Sequence, residues 1–358
     1  MKKILIIILL LFPSISFALS VPSNNAILID QDSGRILYSK RINEKRLIAS
    51  TTKIMTAVIA IESGKLDDVI TIDESVTKSY GSGIYIKPGE KISIRELVYG
   101  LLLRSGNDAA LAIEDYLGGH DKFITKMNIK AKELGMNNTH FENSNGLDES
   151  GEENYSTVKD LALLMKYANN IYDFKEIDGT KKIDVETNKN YYSWTNKNKL
   201  LFSYKYATGG KTGYTKKAKR TLVTSASKDD VNLICVTFVD KDDFNTHKKL
   251  YEYGFNNYKR YLILNKKKIK IKGYKNAYIK KNYYYLLKHG ENKKITTKVI
   301  IDRKNDKLGY ISVLFNEKEV HKEPVYINKN YKPKKIFSFW LSYIFVIYFL
   351  KILGWLKW

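Results

Sequence analysis

Residues 50–53 read Ser-Thr-Thr-Lys, and residues 54–61 continue them with the apolar run IMTAVIAI. This run predicts a helix that begins at Ser50 and carries Ile54, Val58 and Ile59 on one face. Ser50 and Lys53 are three residues apart, so they lie on the same side of that helix. A lysine that is desolvated there can lose its proton near neutral pH and act as a general base for the serine hydroxyl. The stretch therefore predicts a nucleophile and its base on one helix.

The pattern Ser-x-x-Lys is weak on its own, because it occurs four times in the chain. Ser75 leads into a glycine-rich loop, Ser156 opens a helix in which Asp follows the lysine, and Ser225 closes a strand. Each of these is typical of a helix cap or a surface coincidence. Ser50 differs from them because the helix that it opens is apolar enough to bury the lysine stem.

Two further short motifs follow in the chain. Residues 105–107 read Ser-Gly-Asn between two predicted helices, where a hydroxyl and an amide can face one cleft. Residues 209–213 read GGKTG on a predicted strand, and the glycines allow an extended ligand to approach the backbone closely. Each motif alone is typical of an ordinary turn or strand. Their order after Ser-x-x-Lys is informative, because S-x-x-K, S-x-N and K-T-G together form the motif set of penicillin-recognising serine enzymes.

On these motifs the chain resembles the low-molecular-mass penicillin-binding proteins that are serine D-alanyl-D-alanine carboxypeptidases (peptidase S11-like). The resemblance spans roughly residues 22–330. It extends to Asn143–Leu147 (NSNGL), to the Ser-Thr pair at 156–157 and to Gly210–Thr215 (GKTGYT). Tyr155 departs from the pattern, because many relatives carry histidine there, but this position is outside the catalytic set.

The resemblance implies a site of eight residues: Ser50, Lys53, Ser105, Asn107, Lys211, Thr212, Gly213 and Tyr214. Ser50 would attack the carbonyl between the two terminal D-alanines of a peptidoglycan stem pentapeptide. Lys53 would take the serine proton, although the residues alone do not settle which group is the base. The backbone N–H groups of Ser50 and Tyr214 would form the oxyanion hole.

The remaining residues would bind the substrate and move protons. Ser105 would relay a proton to the leaving amine, and Asn107 would orient the lysine and the substrate amide. Lys211 and Thr212 would hold the terminal carboxylate, with Gly213 also in the substrate-binding group. Water would then hydrolyse the acyl-serine ester. The same serine is expected to react with β-lactam antibiotics, and the resemblance implies no metal and no cofactor.

Three alternatives stay open at this point. A class A-like β-lactamase favours Ser-Asp-Asn over the Ser-Gly-Asn found here and needs a deacylating glutamate, for which Glu142, Glu152 and Glu153 are available. A peptidoglycan DD-endopeptidase would perform the same reaction on a different leaving group. A non-catalytic wall-binding or scaffolding protein is disfavoured because all three motifs are intact.

Composition excludes several other classes of protein. The 358 residues carry a formal net charge of +23, and apolar residues make up 44%, which is typical of a globular chain. The single cysteine, Cys235, excludes an intramolecular disulfide and a cysteine-based zinc site. The five histidines include no H-x-x-x-H or H-x-H pair, so a zinc hydrolase is not expected. Nucleic acid is not an expected partner, because the chain is predicted to be exported.

The two ends of the chain predict this export. Residues 1–18 carry two lysines, an apolar run and the small residues of a cleavage site, as in a secretory signal peptide. Residues 336–356 are long and apolar enough for a C-terminal membrane anchor, and an in-plane helix is the alternative. We therefore expect the protein at the outer face of the cytoplasmic membrane or in the cell wall, where its positive charge would meet anionic lipids or wall polymers.

Between these ends the sequence predicts two domains. Residues 22–257 have the variety of an enzyme domain, and the apolar VNLICVTFV at 231–239 is expected to be a central strand. Residues 261–330 alternate lysine and apolar residues, which predicts a small β-rich domain. The expected fold class is α+β. The resemblance implies the β-lactamase/transpeptidase-like arrangement of a helical cluster on an antiparallel sheet, with Lys211 on the edge strand. The β-rich domain and a terminal membrane helix would follow it.

Overall fold

The structure is a computed structural model that describes residues 19–148, 151, 153–266, 268–271, 274–304 and 307–327. The predicted signal peptide and the predicted membrane segment at 336–356 both lie outside these residues. Within them, none of the helices combines the length and the apolar character needed to cross a bilayer.

The described residues form helices and strands that are interspersed in the first part of the chain, and strands in the C-terminal part. The helices are α1 (Lys53–Glu62), α2 (Ile94–Tyr99), α3 (Asn107–Tyr116), α4 (His120–Glu133), α5 (Val158–Ala168), α6 (Tyr172–Gly179), α7 (Leu200–Ser203) and α8 (Asp243–Asn257). The strands of the first part of the chain are β1 (Asn25–Asp30), β2 (Ile36–Lys40), β3 (Arg46–Leu47), β4 (Val69–Thr71), β5 (Lys91–Ser93), β6 (Tyr155–Ser156), β7 (Lys182–Glu186), β8 (Tyr191–Thr195), β9 (Ala207–Thr215), β10 (Lys219–Lys228) and β11 (Val231–Phe238).

A five-stranded antiparallel sheet organises this part of the molecule. Its order is β2-β1-β11-β10-β9, so the apolar strand β11 lies at its centre and β9 at its edge, as predicted. Side chains alternate between the two faces of each strand. Ile27 and Ile29 of β1 pack into the core with the helical cluster, whereas Ala26 and Leu28 pack on the opposite face with residues of α8. Both faces of the sheet are therefore covered.

Local sequence signals account for several helix boundaries. Ser93 and Glu96, in the sequence Ser-Ile-Arg-Glu, form a capping box at the start of α2, and the Thr157 side chain accepts the Asp160 N–H at the start of α5. The predicted helix at Ser50 begins differently, because Ala49–Thr52 form a 3-10 turn and the α-helix starts at Lys53. The predicted helix through Leu103 also changes form, since α2 continues as a π-helical turn over Gly100–Arg104.

The C-terminal part is built from strands, as its sequence predicts. It contains β12 (Lys259–Leu264), β13 (Lys268–Ile271), β14 (Tyr274–Tyr278), β15 (Tyr283–Leu287), β16 (Ile295–Lys304), β17 (Lys307–Phe315) and β18 (Lys318–Ile327). Five of these form a sheet of order β13-β14-β18-β17-β16, and β12 pairs with β15. This part has a small apolar core of its own, which includes Val313 and Val325.

Arg35 joins the two parts of the chain. Its guanidinium forms an ion pair of 2.8 Å with Glu291 and donates a hydrogen bond to the Leu286 carbonyl. It also lies 4.4 Å from the centroid of the Phe315 ring and 5.2 Å from that of Tyr285. Because the Arg35 side chain is only 9% exposed, this contact anchors the β-rich part to the first sheet.

Replacing Arg35 with alanine should loosen that contact. The change leaves Glu291 without its cation and removes the stacking on two aromatic rings, so the expected cost is about 3 kcal/mol of unfolding free energy. Arg46→Ala is the matched control, because its pair with Glu44 is partly exposed and exposed pairs contribute under about 1 kcal/mol. Limited proteolysis and thermal unfolding measure both variants. Equal resistance of the two would contradict an anchoring role for Arg35.

Candidate active site

Ser50 lies in a tight turn at the base of α1. The preceding Ala49 has a left-handed backbone (φ 49°), which brings the Ala49 carbonyl against Gly146. A Cβ on Gly146 would lie 2.0 Å from the Ala49 oxygen, so this close approach requires glycine. The Lys53 Nζ atom lies 3.2 Å from the Ser50 Oγ atom. The structure thus places the amine beside the hydroxyl, as the spacing predicts.

Lys53 is completely buried, and three oxygens surround its amine. Besides the Ser50 hydroxyl, it donates to the Asn107 Oδ1 atom at 2.7 Å and to the Asn145 carbonyl. Burial holds the pKa of Lys53 well below its usual value, and the nearby charges of Lys211 and Lys197 lower it further. A neutral amine in this position can accept the proton of the adjacent hydroxyl.

The Ser-Gly-Asn motif lies at a strained junction between helices. Ser105 has a left-handed backbone (φ 64°) immediately after the π-helical turn, and it is 5% exposed. Asn107 begins α3, its N–H donates to the Ser82 carbonyl at 2.8 Å, and its amide group donates to the Tyr80 carbonyl at 2.6 Å. Asn107 therefore links Lys53 to the glycine-rich loop that precedes α2.

Lys211 and Thr212 occupy the middle of the edge strand β9. Lys211 is 1% exposed, and its amine donates to the Thr212 carbonyl at 2.8 Å. Burial lowers the pKa of Lys211 to about 7, and the charge of Lys197 acts in the same direction. Asp178 acts in the opposite direction, because its carboxylate favours the protonated amine.

Gly213 brings β9 directly against the turn that holds Ser50. A Cβ on Gly213 would lie 3.1 Å from the backbone nitrogens of both Ser50 and Thr51, and 2.4 Å from the Thr221 hydroxyl. The Thr221 hydroxyl donates to the Ile48 carbonyl at 3.0 Å, which ties the neighbouring strand to the same turn. Tyr214 follows at the rim with 62% of its surface exposed. The three predicted motifs therefore converge, although they are far apart in the chain.

The other Ser-x-x-Lys serines lie elsewhere. Ser75 belongs to a 3-10 turn, Ser156 to β6 and Ser225 to β10. Among the residues that the structure describes, no group of three or more His, Cys, Asp or Glu side chains could hold a metal ion. The arrangement around Ser50 combines a hydroxyl, a buried amine, backbone N–H groups and a cationic strand, which suits acyl transfer.

Two parts of the site were missed by sequence reasoning. The Asn145 carbonyl accepts a hydrogen bond from Lys53, and the only signal was the NSNGL segment, to which no role was assigned. Asp178, at the end of α6, lies behind the Gly209–Gly210 backbone. No local pattern distinguished this aspartate from the other acidic residues of the chain.

Comparisons with known proteins agree with this geometry. The family model described as D-alanyl-D-alanine carboxypeptidase (peptidase S11) matches residues 14–242. D-alanyl-D-alanine carboxypeptidase DacF of Bacillus subtilis is 34% identical over 271 residues, which are 72% of this chain and 69% of that protein. The Escherichia coli carboxypeptidase DacC is 37% identical over 252 residues, and the match spans 66% of this chain but only 62% of the relative.

Solved structures give the same result for the fold. A D-alanyl-D-alanine carboxypeptidase from Mycobacterium tuberculosis matches with a TM-score of 0.65 and 31% identity, over 68% of this chain and 95% of that one. Carboxypeptidase DacD from Francisella tularensis matches with a TM-score of 0.68 and 25% identity, over 91% of this chain and 98% of that one. The fold is thus a mixed α/β, transpeptidase-like fold with an antiparallel sheet. The chain belongs to the D-alanyl-D-alanine carboxypeptidase family, peptidase S11, whose members are serine hydrolases.

Proposed function

We propose that this protein removes the terminal D-alanine from peptidoglycan stem pentapeptides through an acyl-Ser50 intermediate. One observation carries the proposal: the buried Lys53 amine lies 3.2 Å from the Ser50 hydroxyl, and β9 packs against the same turn. A hydroxyl beside a desolvated amine is an activated nucleophile. The family match supports the choice of substrate.

In the first half of the reaction, the Ser50 oxygen bonds to the carbonyl carbon of the penultimate D-alanine, and Lys53 takes its proton. The negative oxygen that forms is stabilised by the backbone N–H groups of Ser50 and Tyr214. The carbon–nitrogen bond then breaks. Lys53 gives the proton that it took to Ser105 as Ser105 passes its own proton to the departing amine. Free D-alanine then leaves, Lys53 is neutral again, and the tetrapeptide remains as an ester on Ser50.

In the second half, water attacks the ester and its proton passes to Lys53. Lys53 then returns this proton to the Ser50 oxygen as the tetrapeptide leaves, which restores the hydroxyl and the neutral amine. Asn107 orients Lys53 and the substrate amide. Lys211 and Thr212, with Gly213, bind the terminal carboxylate, which makes the protonated form of Lys211 the binding-competent form. A β-lactam carries a matching carboxylate and a strained amide, so it should acylate the same serine.

The described residues give less support to a β-lactamase function. Glu142 is hydrogen-bonded to His140, and Glu153 forms an ion pair with Lys217. Each carboxylate is therefore engaged away from Ser50, while Glu152 lies outside the described residues. An endopeptidase is the chemically closest alternative, because only the leaving group differs.

We also propose that the chain is exported and held at the outer face of the cytoplasmic membrane by residues 336–356. The support is the sequence itself, which has a signal-peptide pattern at 1–18 and a long apolar run near its end. Cell fractionation should find the full chain with membranes, and a chain truncated after residue 330 should move to the soluble fraction. Equal membrane retention of both forms would argue against the anchor.

Ser50→Ala should abolish labelling by a fluorescent penicillin. The variant lacks the hydroxyl that forms the ester, while the fold around Lys53 keeps its other two hydrogen bonds. Ser75→Ala is the matched control, because it removes the serine of another Ser-x-x-Lys pattern and should label normally. Labelling is measured on denaturing gels after a fixed incubation. Persistent labelling of Ser50→Ala would refute the assignment of the nucleophile.

Incubation with purified stem pentapeptide should release free D-alanine, and a cross-linked stem dimer should be cleaved far more slowly. The reason is that Gly213, which follows Lys211 and Thr212 on β9, packs against the Ser50 turn. The two preceding side chains are therefore expected to bind the free carboxylate of a terminal D-alanine, whereas the leaving group of the cross-linked dimer is a whole stem peptide. Mass spectrometry of both reactions, run at equal substrate concentration, measures the preference. Faster cleavage of the dimer would replace the carboxypeptidase proposal with an endopeptidase.

A further inference from the structure

Asp178 is a buried carboxylate for which the reaction above has no use. It lies in the last turn of α6 and is 2% exposed. Among the residues described by the structure, its Oδ2 atom has no hydrogen-bond partner. Burying an acidic group with an unsatisfied oxygen is costly, so such a group needs a physical explanation.

The position of Asp178 beside β9 explains why a carboxylate is buried here. A Cβ on Gly209 would lie 2.1 Å from the Asp178 Oδ2 atom, so the carboxylate fills the space beside this glycine. Residues 209, 211 and 213 alternate onto one face of the strand. On that face Gly209 meets Asp178, Gly213 meets the Ser50 turn, and Lys211 lies between them. The carboxylate and the nucleophile therefore flank the lysine.

The charges around Lys211 are otherwise positive. Lys197, in the segment before α7, lowers the pKa of Lys211, and the charges of Lys53 on α1 and Lys211 repel each other. Asp108 on α3 raises the pKa of Lys53. Asp178 is the group that favours the protonated form of Lys211. Burial raises the pKa of Asp178 itself to about 7, and the charge of Lys211 acts to lower it.

We propose that Asp178 is a positioning residue that keeps Lys211 protonated behind the edge strand, so that the site can bind a carboxylate-bearing substrate. This inference rests on the proposed function, in which Lys211 binds that carboxylate. It also explains why position 209 is glycine, because any side chain there would displace the counter-charge. Loss of the negative charge should make Lys211 lose its proton at a lower pH.

The test is Asp178→Asn, which removes the charge and keeps the shape. The rate constant for acylation by a fluorescent penicillin is measured from pH 4.5 to pH 9.5. We expect the alkaline limb of the profile to move to lower pH by about one unit, which is about a tenfold loss of rate on that limb. Asp178→Glu should restore much of the wild-type limb. Asp184→Asn, which removes a half-exposed carboxylate on β7, is the control and should leave the profile unchanged.

Other measurements separate positioning from a structural role. Asp178→Asn should still unfold in one cooperative transition, at a temperature below that of the wild type, because the buried Lys211 amine has lost its counter-charge. If the variant does not fold, Asp178→Ser serves in the same test. A rate reduced equally at every pH, or an unshifted limb, would overturn the inference while Ser50-dependent labelling remained intact. Labelling that survives in Ser50→Ala would instead remove the proposed function on which it rests.

Discussion

The burial of the Lys53 amine is the constraint on which the site depends. An ammonium group taken out of water loses several kcal/mol of hydration, so it must either find oxygen partners or give up its proton. Here it does both in part. Oxygens of Ser50, Asn107 and Asn145 surround it, and burial holds the pKa of the amine well below its usual value. The apolar core around α1 is what makes a lysine, whose amine is ordinarily protonated at neutral pH, available to accept a proton.

Close approach of backbones is the second requirement. The turn at Ser50 touches Gly146 on one side and Gly213 on the other, and neither position has room for a Cβ. Glycine therefore does more here than permit unusual dihedral angles. Glycine at these two positions determines how closely the sheet and the helical cluster approach each other. This distance decides whether the backbone nitrogen of Ser50 and the part of β9 after Lys211 line the same groove.

Individual elements could be predicted from local sequence signals, whereas the arrangement of the fold and the meeting of the three motifs were implied by the resemblance to the family. The capping box at Ser93, the apolar strand β11 and the helix behind Ser50 each follow from periodicity or composition. The left-handed backbone of Ser105 and the Asn145 carbonyl could not be predicted from composition or spacing, because both arise from contacts between distant segments. Asp178 is similar, since only the packing of α6 behind β9 distinguishes it from other acidic residues. The roles of the eight site residues stay predictions until they are tested.

The location of β9 at the border of its sheet has a consequence for selectivity. An edge strand offers an unpaired row of amide and carbonyl groups, and an extended peptide can align with such a row whatever its side chains are. Main-chain hydrogen bonds of this kind depend on the backbone conformation of a ligand and hardly on its side chains. Selectivity between ligands must then come from the groups that lie at the two ends of this row of backbone groups. A cleft of this kind would bind many wall fragments. It would reject those whose last residue lacks the required terminal group or has the wrong configuration.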